Sequence, residues 1–491
     1  MKTKLEITLN IIVYALQVLL SFIMLYMFYS IQLIPMNYFI TLSIVFIGLL
    51  IGEYFLIFYK KPKSKRSIIT QVISILLSGV MFVGSTYAYK MGEVVSLLGS
   101  ESFQKRAISV LVLNDSLIRN EKHLPQKKVG YISSIDEKTM EFAVDDITKN
   151  VGNIQLHDYK DFKTMVSDLY AKKVDAVILD EAFRALIDQE KETFDNDTRV
   201  IYQVLKDEGS INSKSVDVTS KPFLVYISGN DQYGEIATVS RSDVNMLIAI
   251  NPNTKQILLV SIPRDTYYPL HRNGQLDKFT HTGIYGLQES IDTLQDMVVK
   301  DINYYVRMNF TSFIQIVDAL GGITINSPMA FTTRIGKYNI EEGINHLNAK
   351  QALAFVRERK SFVGGDFERG KNQQRMIAAI VDKVCSPAIL TSFSSVLDTV
   401  SESIETNLSS EEMRALVQLQ LTEMPSWDIQ SCQIVGGTGM RPCYSSGGQE
   451  ASVVIPFESS IQEAQTYIDD LMNDKVIQTE TGNLDQKGNQ E

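Results

Sequence analysis

The sequence predicts an α/β protein: three N-terminal transmembrane helices, a small α/β accessory domain and a larger mixed α/β domain. Three observations carry that expectation. The first ninety or so residues are nearly all apolar, whereas the rest mixes apolar and polar side chains. In that remainder, short apolar runs suited to buried strands alternate with stretches whose apolar residues recur at helical spacing. A polar stretch at residues 206–221, with Gly209, four serines and alternating charge, separates two such groups of runs. The length of 491 residues fits about three units of roughly 100–200 residues each. With 57 acidic against 47 basic residues and a net charge of -10, no overall basic field favours nucleic acid. Cys385, Cys432 and Cys443 are too few for a disulfide framework and match no zinc spacing, which leaves at most one bridge, Cys432 with Cys443.

Residues 7–29, 38–59 and 67–89 each reach the ~20 apolar residues that a bilayer-spanning helix needs. The first stretch follows Lys2 and Lys4, but it is too long for a signal-peptide core and lacks a clear small-residue cleavage site, so it is expected to stay attached. Lys60, Lys61, Lys63, Lys65 and Arg66 separate the second stretch from the third, whereas residues 30–37 carry no charge. By the positive-inside rule the N-terminus and the basic loop face the cytoplasm, and everything after about Lys90 lies outside it. The basic loop reads as a topology signal in contact with phospholipid. Glu53, inside the second stretch, reads as a carboxyl near an interface or paired between helices, since an isolated charge there is costly.

The boundaries then fall at 1–90 for the anchor, 91–220 for the accessory domain and linker, 221–474 for the larger domain, and 475–491 for a polar, disordered tail. In the accessory domain, 107–113 and 174–179 read as buried strands and 159–172 as a helix. In the larger domain, strands are expected at 223–228, 244–250, 256–262 and 304–308, and helices at 286–299, 312–320, 349–355 and 373–384.

Asp231 follows the strand at 223–228, and Asp243 immediately precedes the strand at 244–250. If these strands are hairpin neighbours, both carboxylates reach one end of the sheet. That pairing suits Mg²⁺, which takes one or two protein carboxylates and completes its shell with water and phosphate. Arg241 lies just before Asp243, Arg264 and Asp265 end the next strand, and Arg357, Arg359 and Arg369 sit at later element ends, with Gln373 opening a helix. Arginine offers a planar fork for phosphate, and helix N-termini add amide donors. Arg357 and Arg359 can point the same way only where the chain has left helical geometry; otherwise Arg357-Glu358-Arg359 is a solvated face with local ion pairs. No P-loop, Gly-x-Ser-x-Gly or His-Glu-x-x-His pattern occurs, so serine-nucleophile and zinc chemistry have no support. His281 reads as structural or capping.

Taken in order, Gly229-Asn230-Asp231, Arg241-Ser242-Asp243, Ser261-Ile262-Pro263-Arg264-Asp265, Asp277-Lys278-Phe279-Thr280-His281, Asp318-Ala319-Leu320-Gly321-Gly322, Arg357-Glu358-Arg359 and Gly365-Asp366-Phe367-Glu368-Arg369 with Gln373-Gln374 resemble the LytR-CpsA-Psr family. The likeness runs from about residue 225 to 380. Three spans with an added α/β module resemble the family's streptococcal capsule type.

The resemblance implies an extracytoplasmic phosphotransferase, anchored in the cell membrane, that moves capsular polysaccharide from a polyprenyl-pyrophosphate carrier onto peptidoglycan. It implies Asp231 and Asp243 as ligands of Mg²⁺ or Mn²⁺. Arg241, Arg264, Arg357, Arg359 and Arg369, with Gln373, would bind the pyrophosphate, and an apolar tunnel would take the polyprenyl tail. Catalysis would fall to Asp231, Asp243, Arg241, Arg264 and Asp265, the general base staying open among the three aspartates. Many relatives carry arginine where this chain has Asn372, which leaves Arg375 as the neighbouring cation. The expected partners are the lipid-linked polysaccharide, the peptidoglycan acceptor, the lipid membrane and other capsule assembly proteins; nucleic acid is not expected. Two other readings use the same residues or spans: a polyprenyl-pyrophosphate phosphatase with water as acceptor, and a membrane-bound regulator of capsule transcription, for which the cytoplasmic side offers little protein to read bases.

Overall fold

The computed structural model describes residues 2–480 apart from 59–63, 99–104, 135, 231–238, 387–395, 397–398 and 400–402. Three helices open the chain: α1 (Lys2–Ile31), α2 (Met36–Phe58) and α3 (Ser64–Leu98). Within them Ile7–Ile31, Met36–Ile57 and Ile68–Lys90 are long and apolar enough to cross a membrane. Their polar side chains turn inward: Gln71 donates to Asn10 Oδ1 at 2.8 Å between α3 and α1, and Glu53 is buried. Most of the basic loop, residues 60–63, lies outside the described residues.

The accessory unit is a five-stranded sheet of β1 (Lys105–Leu113), β2 (Lys128–Tyr131), β3 (Gln155–Asp158), β4 (Ala176–Asp180) and β5 (Thr198–Asp207), in the order β3-β2-β4-β1-β5. Helix α4 (Glu137–Asn150) covers one face with Met140, Ala143 and Ile147; α5 (Phe162–Tyr170) covers the other with Phe162, Met165 and Leu169. Asp136 and Asp161 cap these helices by accepting the Thr139 and Thr164 amides, each satisfying a donor that a first turn leaves orphaned.

The larger unit is built on β6 (Phe223–Gly229), β7 (Val244–Asn251) and β8 (Gln256–Ile262), a fully antiparallel meander. Strand Tyr304–Met308 adds parallel to β6, Asp428–Gln433 adds parallel to β8, and Glu405–Thr406 closes the far edge. Alternation sends Leu224, Tyr226, Leu247 and Leu258 to one face, under helices Leu287–Val298 and Glu458–Met472. Ile227, Met246, Ile248 and Leu259 face the other way, towards helix Asp366–Cys385. Both faces being covered explains why these strands read as continuous apolar runs.

The structure settles one bridge left open by the sequence and shifts the bounds of three segments. The helix expected at 373–384 begins at Asp366, so Gln373 sits two turns inside it rather than opening it. All three cysteines are free, so no Cys432–Cys443 bridge forms; Cys432 is spent on the core beneath Ile461 and Ala464. The tail is docked through residue 480: Ile477 is buried and exchanges bonds with Gln256, its amide donating at 2.8 Å and its carbonyl accepting at 2.9 Å. Residues 481–491 lie outside the described residues. Of the polar stretch at 206–221, Lys206 and Asp207 end β5 and the rest is irregular, held where Lys214 pairs with Asp301 at 2.6 Å and Ser215 donates to Glu412 at 2.5 Å.

Candidate active site

The sheet delivers the first residues of the site. A Cβ on Gly229 would lie 2.9 Å from that of Val244, so glycine lets β6 and β7 close together where β7 starts. Beside it the Asp243 amide donates to the Gly229 carbonyl at 2.7 Å, and Asn230 donates to the Met308 carbonyl at 3.1 Å. β8 ends before Pro263, and Arg264 folds back so that Nη1 lies 2.8 Å from Asp243 Oδ1; Thr280 Oγ1 reaches the same oxygen at 3.4 Å. Burial works against the Arg264 charge, yet Asp243 and Asp265 more than offset it and raise its pKa above the ordinary guanidinium value.

Arg357 and Arg359 enter from the opposite side. Helix Ala349–Arg357 stops at Arg357, and Glu358 is already extended, with φ −67° and ψ 131°. The chain therefore leaves helical geometry where it must for both guanidinium groups to line one cavity. Glu358 is the clamp. Its carboxylate accepts the amides of Arg359 at 3.1 Å and Ser361 at 3.0 Å, and that of Arg334 as well. Burial alone would push this carboxyl up, but those backbone donors outweigh it and hold the pKa below the usual carboxylate range. Arg357 also lies over the Phe310 ring, 4.1 Å from its centroid, a cation–π contact.

Helix Asp366–Cys385 supplies the rest. Gly365, at φ +51°, makes the turn into it. Its tight seat needs Gly370, where a Cβ would fall 2.8 Å from Ser261 Oγ. The Gln-Gln pair divides its labour: Gln374 donates to the Leu259 and Cys432 carbonyls at 3.0 and 2.6 Å and pins the helix to the sheet, whereas Gln373 lines the cavity.

The result is a cavity of about 230 Å³ where Asp243, Arg264, Arg357, Arg359, Arg369 and Gln373 converge. Arg334, Lys360 and Asn230 join them; none had been singled out as a site residue. Asn230 stood in a matching block, but Arg334 is brought in only by the Glu358 clamp, a contact across 24 residues that has no local signature. Burial, reinforced by repulsion from Arg264 and Arg359, pulls the Arg369 pKa below the guanidinium norm, although Asp366 opposes it. A concave wall carrying this many cations is suited to a polyanion.

Two expected residues, Arg241 and Asp265, are not among the described residues that line the cavity. Asp231 lies outside the described residues. Arg241 is half-buried and does not line the cavity, because the β7 ladder that would fix its side begins only at Val244. Asp265 lines an adjoining cavity of about 360 Å³ that shares Arg359 and Lys360, and Lys278 holds it at 3.0 Å. Nor does Arg375 replace the missing arginine: it donates to Asn372 at 2.7 Å. His281 is buried and bonded to Asp277 at 2.6 Å, a structural pair that also receives the Ser445 amide at 2.7 Å. As for a cation, Asp243 is a described carboxylate that lines the cavity, where it is paired with Arg264 at 2.8 Å. One carboxylate beside phosphate ligands fits the needs of Mg²⁺.

Below the arginines an apolar cavity of about 60 Å³ opens between Ile227, Met308, Phe313, Leu353, Met376 and Ile377. Asn230, Val244, Phe310, Val356 and Gln373 line both spaces, so they adjoin.

An α/β unit on an apolar helical anchor, with an arginine-rich cavity adjoining an apolar one, is the class of architecture this chain presents. The chain belongs to the LytR_cpsA_psr family, whose model matches residues 187–464. It is 34% identical over 219 residues to the polyisoprenyl-teichoic acid–peptidoglycan teichoic acid transferase TagU of Bacillus licheniformis, covering 44% of this chain and 66% of that protein. With the TagU of Bacillus subtilis it is 34% identical over 227 residues, 46% of this chain and 69% of the other. Among solved structures, B. subtilis TagU aligns over 52% of this chain and 100% of its own, with 29% identity and a TM-score of 0.41.

Proposed function

We propose that this chain is a membrane-anchored phosphotransferase that moves a glycopolymer from a polyisoprenyl-pyrophosphate carrier to peptidoglycan, with capsular polysaccharide as the glycopolymer. The observation that supports it is the convergence of Arg264, Arg357, Arg359 and Arg369 around Asp243, with an apolar space directly behind. A pyrophosphate with a lipid on one side and a sugar on the other is the amphiphilic anion such a pair of cavities fits. Membership of a family whose relatives are named polyisoprenyl-teichoic acid–peptidoglycan teichoic acid transferases supports transfer of a glycopolymer to peptidoglycan.

In this reading an acceptor sugar hydroxyl attacks the phosphorus that bears the glycan, the P–O–P bridge breaks, and polyisoprenyl phosphate leaves. The arginine forks bind the non-bridging oxygens and neutralise charge as it shifts to the leaving phosphate. Asp243 and Asp231 would hold Mg²⁺ or Mn²⁺, which when bound neutralises further phosphate charge. Asp265, which lines the adjoining cavity, would take the hydroxyl proton from an acceptor lying there. The basic loop in the sequence supports soluble units outside the cytoplasm by the positive-inside rule, where the pyrophosphate linkage itself would supply the driving force.

The test is acceptor dependence of the full chain in lipid nanodiscs. Polyisoprenyl phosphate should be released with peptidoglycan present and not without it. Equal release without acceptor makes water the nucleophile and the protein a phosphatase. Asp243→Ala should abolish transfer and its dependence on Mg²⁺; unchanged turnover would defeat the assignment.

A further inference from the structure

A second apolar cavity, about 510 Å³, lies where the anchor meets the family domain. Spans one and three contribute Phe28, Ile31 and Tyr87; the domain contributes Ile257, Val384 and Leu416. The junction is packed rather than incidental. Val417 sits against Ile31, Leu33 and Ala88, and Gln418 donates its side-chain amide to the Gln32 carbonyl. None of the described residues lining this cavity is charged. A phospholipid would bring a phosphate that needs a cation nearby, so the cavity fits a lipid whose charged end is held elsewhere.

Helix Asp366–Cys385 connects the two places. Ile377 lines the small apolar cavity beneath the arginines, and Val381 and Val384 line the cavity at the anchor. These three positions, four and then three residues apart, share one face of the helix. Across from them Val225 and Val306, both half-buried on the sheet, complete an apolar strip. Eleven residues separate Gln373 at the arginine cavity from Val384, a rise of roughly 16 Å along the helix. An apolar chain led along this strip stays out of water, whose cost scales with exposed apolar area.

We propose that the tail of the polyisoprenoid carrier runs along this strip and passes into the bilayer through the cavity roofed by spans one and three, so that the anchor forms part of the substrate site. The proposal rests on the transferase reading above and adds to it the path of the tail.

Two measurements on the full chain in nanodiscs test it. A long polyisoprenyl pyrophosphate with a photoreactive group near its distal end should label peptides containing Tyr87, Val384 or Leu416. Labelling confined to other segments overturns the path, as does labelling of these peptides by a photoreactive phospholipid in preference to the polyisoprenoid. Val384, 39% exposed, has room for Val384→Trp, which should narrow the cavity. The ratio of kcat/KM for a long-tailed donor to that for a donor of two or three isoprene units should then fall about tenfold, equivalent to ~1.4 kcal/mol. An unchanged ratio overturns the proposal. The two readings separate cleanly: labelling at Val384 without transfer defeats the transferase, and transfer with labelling elsewhere defeats the path.

Discussion

Each guanidinium in the cavity is set by a different neighbour: Arg264 by Asp243, Arg357 by the Phe310 ring, Arg369 by Asp366, and Arg359 through a backbone that Glu358 fixes. Charge alone is therefore not the design, and Arg359→Lys tests the difference. A lysine keeps the charge but gives up the two-pronged fork. Losing one charge-assisted bond of about 1.5–3 kcal/mol predicts a roughly 10- to 100-fold fall in kcat/KM, measured with lipid-linked donor; wild-type turnover would show that a point charge suffices. Glu358 gives a pH signature. Its pKa is lower in the fold than in the unfolded chain, so its stabilisation is present above the ordinary glutamate value near ~4.3 and is lost as pH falls through the folded value. Wild type should lose stability in that acid window more steeply than Glu358→Gln, read as urea midpoints against pH. Parallel curves would mean that the clamp carries no proton-linked energy.

At the scale of elements, helix Asp366–Cys385 bears the greatest demand, because one face must reach the cavity while the next rests on the sheet. Gly370 is the point of closest approach: an added methyl would meet Ser261 Oγ at 2.8 Å and the Gln433 side chain closer still. Gly370→Ala should destabilise by about 1–3 kcal/mol through overpacking. It should also lower transfer more than its stability loss explains, since Arg369 and Gln373 ride on the displaced turn; activity compared with urea midpoint checks this, and an active, equally stable variant would refute it. The same helix shows what a sequence can and cannot reveal. β6, β7 and β8 were legible because apolar runs of strand length are flanked by turn residues; the departure from helix after Arg357 was only a condition for two arginines to face one way, and a solvated face stayed equally open in the sequence. The start of this helix at Asp366 was hidden by Gly364, Gly365 and Gly370, which lower helix propensity although packing overrides it. Arg334 and Lys360 were illegible for another reason: a carboxylate bonding three amides across a loop leaves no pattern in residue types. Arg241 was singled out by its place next to Asp243 and by the resemblance, and it precedes β7, which begins at Val244.

For the whole molecule, the accessory sheet and the family domain read as separate domains joined by a linker, yet they share a core in which Leu111, Phe183 and Ile187 pack with Val239, Leu270, Ile284 and Tyr285. Arg106 on β1 sits at that junction, 1% exposed. It reaches Asp180 at 2.6 Å, Glu208 at 2.5 Å and the Ile284 carbonyl of the family domain at 3.0 Å. Asp136, which caps α4, lies 3.5 Å from Arg272 on the family side. Removing one member of a buried ion pair strands the other, so Arg106→Met should cost about 3–5 kcal/mol, whereas replacing Arg106 and Asp180 together by apolar residues should recover most of it. If the two units are one cooperative body, tryptophan emission from Trp427 in the family domain and a label placed on β2 should report the same midpoint, and both should fall together in Arg106→Met. Two separate midpoints, or a fall on β2 alone, would make the accessory sheet an independent passenger. A single shared midpoint instead makes it a brace that holds Val239 before β7 and the strand Leu276–Lys278 in place, and with them the surroundings of Asp243 and Asp265.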